Sequence, residues 1–299
     1  MSDEATSDHR EQALSCSGFF FKGEDIHTAR KLEETDLAFA GGHWAFRGHK
    51  DEKKGLHTEL ELAFERHGIP EAERAVCEQL IIREFGRKAY LYLPEGELPD
   101  PWDTLEWLSL MRHHGAPTRL LDWTYSIFVA AYFALAASGP GDDCYIWAID
   151  VEWLNDRTRD VKDLMKNQDE RDKTGGHFRD HYLTNRERFV STANPRRLNK
   201  RLTMQRGVFL CPGDSTKTFG ENLNRFGHSP AHARYFRIAK APETRREILQ
   251  LLYRLNIDEE TIFPGIEGLA KSLRDRMPRI NEGLIRLGGG GGAPRKEID

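Results

Sequence analysis

The stretch from Ser126 to Ala137, SIFVAAYFALAA, is apolar at nearly every position. A helix apolar along one stripe lies on a surface, whereas one apolar nearly all round must be enclosed. The run is too short to cross a bilayer, which takes roughly 20 apolar residues, so the chain has to build a domain around it. A turn at Gly139–Asp143 leads into CYIWAIDV (144–151), a continuous apolar run bounded by Gly, Pro and Asp. That is the pattern of a central strand covered on both faces. A buried helix beside a buried strand requires further layers. Apolar alternation at His43–Arg47 (HWAFR), extended chain from Pro117 to Trp123, and the runs GVFLC (207–211) and ARYFRIA (233–239) supply the other strands. A helix is predicted from Pro70, with Val76, Leu80, Ile81 and Phe85 inward and Glu73, Arg74, Glu78 and Arg83 outward. A second runs from about Trp102 to Arg112 and stops at Gly115. A third covers 242–255, with Ile248, Leu251, Leu252 and Leu255 on one stripe. The expectation is one α/β domain of the α+β type, a mixed, mainly antiparallel sheet with packed helices, its strands near 43–47, 119–122, 144–151, 207–211 and 233–239.

Composition bounds the function. Forty-four Lys plus Arg against forty-eight Asp plus Glu give a formal charge of −4, which excludes a polybasic protein acting through a global positive field. Sixteen Phe, eight Tyr and six Trp exclude a disordered chain. Nowhere do 18 consecutive apolar residues occur, and the start MSDEATSDHREQ lacks a cationic segment before an apolar one, so the expected address is cytoplasmic, with no membrane partner. Four cysteines, Cys16, Cys77, Cys144 and Cys211, form no CxxC pair and read as reduced thiols. His177, Asp180 and His181 would put two imidazoles on one helical face, but no third ligand accompanies them and no metal is expected. Residues 1–17 read as a flexible N-terminus, 18–287 as a single domain with a polar excursion at 155–203, and 288–299 as a flexible Gly-rich tail.

FRG at 46–48, HHGAPTRLLDWT at 113–124, AAYFA at 130–134, QRGVF at 205–209 and IDEETIFPGIEGLA at 257–270 together resemble the FRG domain family, over about Phe39 to Ala270. More distantly, the order of elements is similar to that of ADP-ribosyltransferases of the arginine-first type. Those have an aromatic–Arg–Gly strand, a strand ending in Ser-Thr-Ser that feeds a helix with an A-x-x-F-A pattern, an apolar strand, and a strand bearing a catalytic Glu before a Pro-Gly turn. The counterparts here are Phe46–Arg47–Gly48, then Leu121 to Thr124 with Ala130 to Ala134, then Cys144 to Val151, then Gln205 before Gly207 to Leu210 and Pro212–Gly213. Asp122, Trp123 and Thr124 stand where Ser-Thr-Ser would, and Gln205 stands where the Glu would.

The distant resemblance implies NAD as co-substrate and an ADP-ribosyl transferase or NAD glycohydrolase, in the setting of a toxin or phage-defence effector. It implies a catalytic set of Arg47, Asp122, Thr124 and Gln205, and a dinucleotide-binding set of Phe46, Arg47, Gly48, His114, Arg119 and Trp123. A guanidinium can take phosphate oxygens bidentately. Cleaving the nicotinamide–ribose bond develops oxocarbenium character that a neighbouring carboxylate offsets. Gln205 can give a hydrogen bond but not that charge, so Asp122 is the candidate to supply it. Two other readings stand beside this one. The first is a module that binds a nucleotide or phosphate-bearing ligand without turnover. The second is a nucleic-acid-interacting regulator using the basic run Arg196, Arg197, Lys200, Arg201 and Arg206. Each residue also has a plain structural reading: Arg47 as a strand-end cation, Asp122 as a helix cap, Trp123 as core, and His113 and His114 as histidines favouring a helix C-terminus.

Overall fold

The computed structural model describes residues 13–16, 19–52, 55–139, 141–161, 178–184, 186–227 and 229–281. Its centre is an eight-stranded sheet in the order β1-β2-β8-β5-β3-β4-β7-β6. The strands are β1 (Ala13–Cys16), β2 (Phe19–Ile26), β3 (Trp44–His49), β4 (Leu121–Thr124), β5 (Cys144–Asp150), β6 (Val190–Ala193), β7 (Gly207–Pro212) and β8 (Ala233–Ile238). Only β2 and β8 pair in parallel; all other neighbours are antiparallel. The expected mixed, mainly antiparallel α/β architecture is what the chain adopts.

Alternation along the central strands divides the core. On one face Phe46, Ile146, Ala148 and Phe236 lie under α5 (Ile127–Ala137) and α9 (Pro242–Arg254). On the other, Ala45, Trp147, Ile149, Leu121, Trp123, Val208 and Leu210 meet Phe219 and Leu223 of α8 (Phe219–Asn224). Farther along the first face, Phe209 and Cys211 pack on Leu108 and Met111 of α4 (Thr104–His113) and on Leu202 of α7 (Lys200–Met204). The apolar helix α5 is enclosed as its composition demands, with Ile127, Ala130, Ala131 and Ala134 fully buried. It lies so close to β3 that a methyl on Gly48 would stand 1.7 Å from the Ala130 carbonyl oxygen.

Several elements differ from expectation. Residues 13–16 are a strand hydrogen-bonded to β2 rather than a flexible end, and residues 19–26 are a strand as well. Helices α1 (Ala29–Phe39) and α2 (Glu59–Arg66) add to the predicted set. On α3 (Glu71–Ala89) Val76 and Leu80 point outward, each 56% exposed, while Glu78 is buried at 1% because it pairs with the enclosed Arg119. Among its described residues the segment 155–203 holds the end of α6 (Val151–Arg159), whose N-terminus Asp150 caps, a π-turn at Arg179–Leu183, the edge strand β6 and most of α7. His177, residues 1–12 and the tail lie outside the described residues.

Candidate functional site

β4 carries Asp122 and Thr124 toward the face that holds α4 and α7, because Leu121 and Trp123 take the alternate positions in the opposite core. α4 begins at Asp103, whose side chain accepts from the Glu106 amide, and ends where Gly115 takes a φ of +79°. Its last turn places Arg112 against Asp122, which stands opposite Phe209 of β7. The Nε and Nη2 of Arg112 donate to Oδ2 of Asp122 at 2.7 and 2.5 Å. Burial alone would raise the Asp122 carboxyl, but Arg112, aided by Arg47 and Arg201, outweighs it and holds the group below the ordinary carboxylate value. Asp122 is an anion at neutral pH, its side chain 35% exposed.

The exposed part of that carboxylate borders a cleft of about 160 Å³ lined by Arg112, His113, Asp122, Arg201, Gln205 and Phe209, among others. Arg201 comes from α7, whose N-terminus is capped by the Asn199 side chain accepting from the Leu202 amide at 2.7 Å. Its guanidinium lies 4.7 Å from the centroid of Phe263, a cation–π contact that orients it. Burial lowers the pKa of both Arg201 and His113. The cleft therefore offers two guanidinium groups, one carboxylate and an imidazole biased toward its neutral form.

Gln205 ends α7, and Arg206 turns the chain into β7 with a φ of +46°, the left-handed region. Thr124 Oγ1 donates to the Gln205 carbonyl at 2.6 Å and accepts from the Ser126 amide at 3.1 Å. The Gln205 amide donates to the Ile262 carbonyl at 3.2 Å, tying α7 to α10 (Glu259–Ile262). Asp122 and Gln205 thus line one cleft, with Thr124 behind them.

The remaining candidates are distributed differently. Arg47 shares the sheet face of Ala45 and stands in register with Trp147. Its Nε donates to the Gly55 carbonyl at 2.6 Å and its Nη1 to the Asp122 main-chain carbonyl at 2.7 Å. Burial pushes its pKa down to about 10, partly offset by Asp122, so it stays charged at neutral pH. It reaches the site through the Asp122 backbone rather than through the cleft. Phe46 and Trp123 are core residues on opposite faces. Gly48 is covered by α5. Arg119, 2% exposed, is consumed by Glu78 and by the carbonyls of Tyr182, Pro212 and Gly213. His114 faces an apolar groove of about 580 Å³ formed with Phe85, Tyr92 and Met111, while its neighbour His113 faces the cleft. Of the basic run, Arg201 enters the cleft and Arg197 pairs with Glu106 at 3.2 Å.

In the sequence Arg112 is indistinguishable from an ordinary cation in a last helical turn. Arg201 was noticed only as part of the basic run. The available signal was their position, ten residues before Asp122 and four before Gln205.

Residues 42–143 match the FRG domain, so the chain carries one. The match covers β3, α2 to α4, β4 and α5, hence Arg47, Arg112 and Asp122, and ends before Arg201 and Gln205. No curated protein and no solved structure matches the chain.

Proposed function

We propose that the cleft binds the pyrophosphate–ribose portion of a nicotinamide dinucleotide, NAD, and that the domain acts on it in the manner of an ADP-ribosyltransferase or NAD glycohydrolase. One observation carries this reading: Asp122 is held ionised at the wall of a cleft that also presents Arg112 and Arg201. The strand order supports it, because Arg47, Asp122 with Thr124, and the segment after Gln205 lie on the adjacent strands β3, β4 and β7. At about 160 Å³ the cleft is smaller than the roughly 300–1,000 Å³ of sites that enclose a whole organic ligand. It has room for a phosphate and part of a sugar, with the rest of the dinucleotide outside its mouth.

In this mechanism Arg112 and Arg201 take the phosphate oxygens as charge-assisted donors. Nicotinamide leaves with the electron pair of the glycosidic bond, and positive charge develops on the ribose. Asp122 offsets that charge and can accept from a ribose hydroxyl. Water or an acceptor nucleophile then bonds to the ribose carbon and loses a proton. Arg47 positions Asp122 by holding its carbonyl, and Thr124 positions Gln205.

Binding without turnover is the second reading. It is favoured by the two bonds that Arg112 already makes to Asp122 and by the commitment of the Gln205 amide to Ile262. Incubating the purified protein with NAD and a cell lysate, while following free nicotinamide and label transfer, decides between them. Turnover that is lost in Asp122→Asn at nearly unchanged affinity supports catalysis, since only charge felt in the transition state has been removed. Tight NAD binding with neither product supports the binding module. No NAD binding at all, with salt-sensitive retention of RNA, overturns both.

A further inference from the structure

Two concavities meet the last turn of α4. Arg112 and His113 face the charged cleft, whereas Met111 and His114, three residues apart on one helix face, line the apolar groove of about 580 Å³. That volume lies within the roughly 300–1,000 Å³ of sites that enclose a whole organic ligand. The groove has a closed floor, with Ala89 5% and Met111 1% exposed.

Its shape and walls define what fits. Ile81, Phe85 and Ala89 follow one another at steps of four along α3, so the trough runs for about 12 Å along that helix before Leu93 continues it. A trough of that length suits a chain better than a single ring. Ile81, Leu93 and Met111 are flexible aliphatic walls, methionine being the most adaptable of them, and the Phe85 ring already has an edge-on partner in Trp107 at 6.4 Å. Charge is confined to the rim. Lys88 Nζ lies 2.6 Å from one oxygen of Glu84 and Arg87 Nη1 lies 3.6 Å from the other, so one carboxylate is shared by two cations and this edge keeps a net positive charge. An ammonium has three donors, and Glu84 takes one of those on Lys88. An apolar trough with a cationic edge is complementary to an amphiphile that is anionic at one end.

We propose that this groove binds a medium-chain alkyl carboxylate, its hydrocarbon chain along Ile81, Phe85 and Ala89 and its carboxylate at Lys88. The inference is independent of what the cleft binds.

Calorimetric titration of the full chain with octanoate, nonanoate and decanoate, each below its micellar concentration, tests it. The expected result is one molecule bound per chain, with a dissociation constant that falls about fourfold for each added methylene. Ala116→Phe, which places a ring in the groove, abolishes binding, and its melting temperature shows whether the variant is folded. Lys88→Gln alters an exposed side chain that the fold does not need; it weakens decanoate several-fold and leaves 1-decanol unchanged. No binding by the wild-type chain overturns the proposal, as does an affinity that ignores chain length. So does decanoate binding that a folded Ala116→Phe variant retains, or a Lys88→Gln variant that treats acid and alcohol alike. Displacement of decanoate by NAD overturns it too, because the groove would then belong to the dinucleotide.

Discussion

At Gly48 the constraint is space: a β-carbon there would overlap the Ala130 carbonyl and crowd the Ala134 amide of α5. The neighbouring motif residues are equally architectural, since Phe46 fills the core beneath α5 and Arg47 ties the Gly55 loop to the β4 backbone. Gly48→Ala is expected to push α5 off the sheet and cost about 1–3 kcal/mol, read as a lower urea midpoint. Glu61 makes a different demand on its surroundings. Its Oε1 accepts from Thr58 Oγ1 and from the Phe219 amide, while Oε2 is buried with no partner among the described residues. Burial pushes its pKa up to about 8, against an ordinary value near 4.5. The folded state therefore holds a proton that the unfolded chain releases above its ordinary pKa. The stability this gives is fully present below pH 4.5, declines as pH rises and is gone above about 8. Between those limits wild-type stability should fall relative to Glu61→Gln, which keeps the neutral form throughout. Parallel pH profiles of the two proteins check this, and identical profiles would refute it. Neither feature is legible in the sequence, where nothing marks Gly48 as packed beneath a helix or Glu61 as enclosed.

Among the elements, those whose burial is symmetric were legible and those stabilised by a specific partner were not. The apolar runs of β5 and β7 and the enclosed α5 need no partner chemistry to be recognised, and their predicted limits differ from the observed ones by at most a residue or so. β2 escaped because Glu24 and Asp25 break its apolar pattern. Their charges are met by Arg234 and Arg237 of β8, with Arg237 donating twice to Asp25 at 3.0 and 2.7 Å. On α3 Ile81 and Phe85 pack inward as expected, but Val76 and Leu80 do not, since the helix's most buried side chain is the Glu78 carboxylate. The site was half legible. Asp122, Thr124 and Gln205 could be chosen from motif order, but the charge that sets Asp122 comes from Arg112, which lies one residue outside the 113–124 motif. Where β4 meets the end of α7, beside the Tyr125 amide's bond to the Arg206 carbonyl, the Thr124 hydroxyl satisfies both the Gln205 carbonyl and the Ser126 amide. Thr124→Val preserves shape and leaves both groups unmet in a buried setting, so a loss of about 1–3 kcal/mol is expected. Amide exchange should show faster opening of α7 than of β5 in that variant; uniform acceleration across the sheet would mean that the hydroxyl does not act locally.

Across the whole molecule, Arg119 is where separate layers are tied together. Its Nε and Nη2 hold Glu78 of α3, while Nη1 donates to Tyr182 in the π-turn at 2.9 Å and to Pro212 and Gly213 at the end of β7 at 3.2 and 2.9 Å. A buried ion pair is often replaceable by apolar residues of similar volume without loss, because its desolvation offsets its attraction. Here the guanidinium also supplies the donors for three main-chain carbonyls, which no apolar side chain can do. Glu78→Ala leaves a buried uncompensated cation and should cost about 3–5 kcal/mol. The double variant Glu78→Leu, Arg119→Met removes both charges yet strands the carbonyls, each of which loses its partner at about 1–3 kcal/mol if water cannot enter. Both variants are expected to be less stable than wild type in urea, the double variant by at least as much as Glu78→Ala. A double variant as stable as wild type would show that the carbonyls find other donors, and that Arg119 is present to neutralise Glu78 rather than to join α3, the π-turn and the sheet.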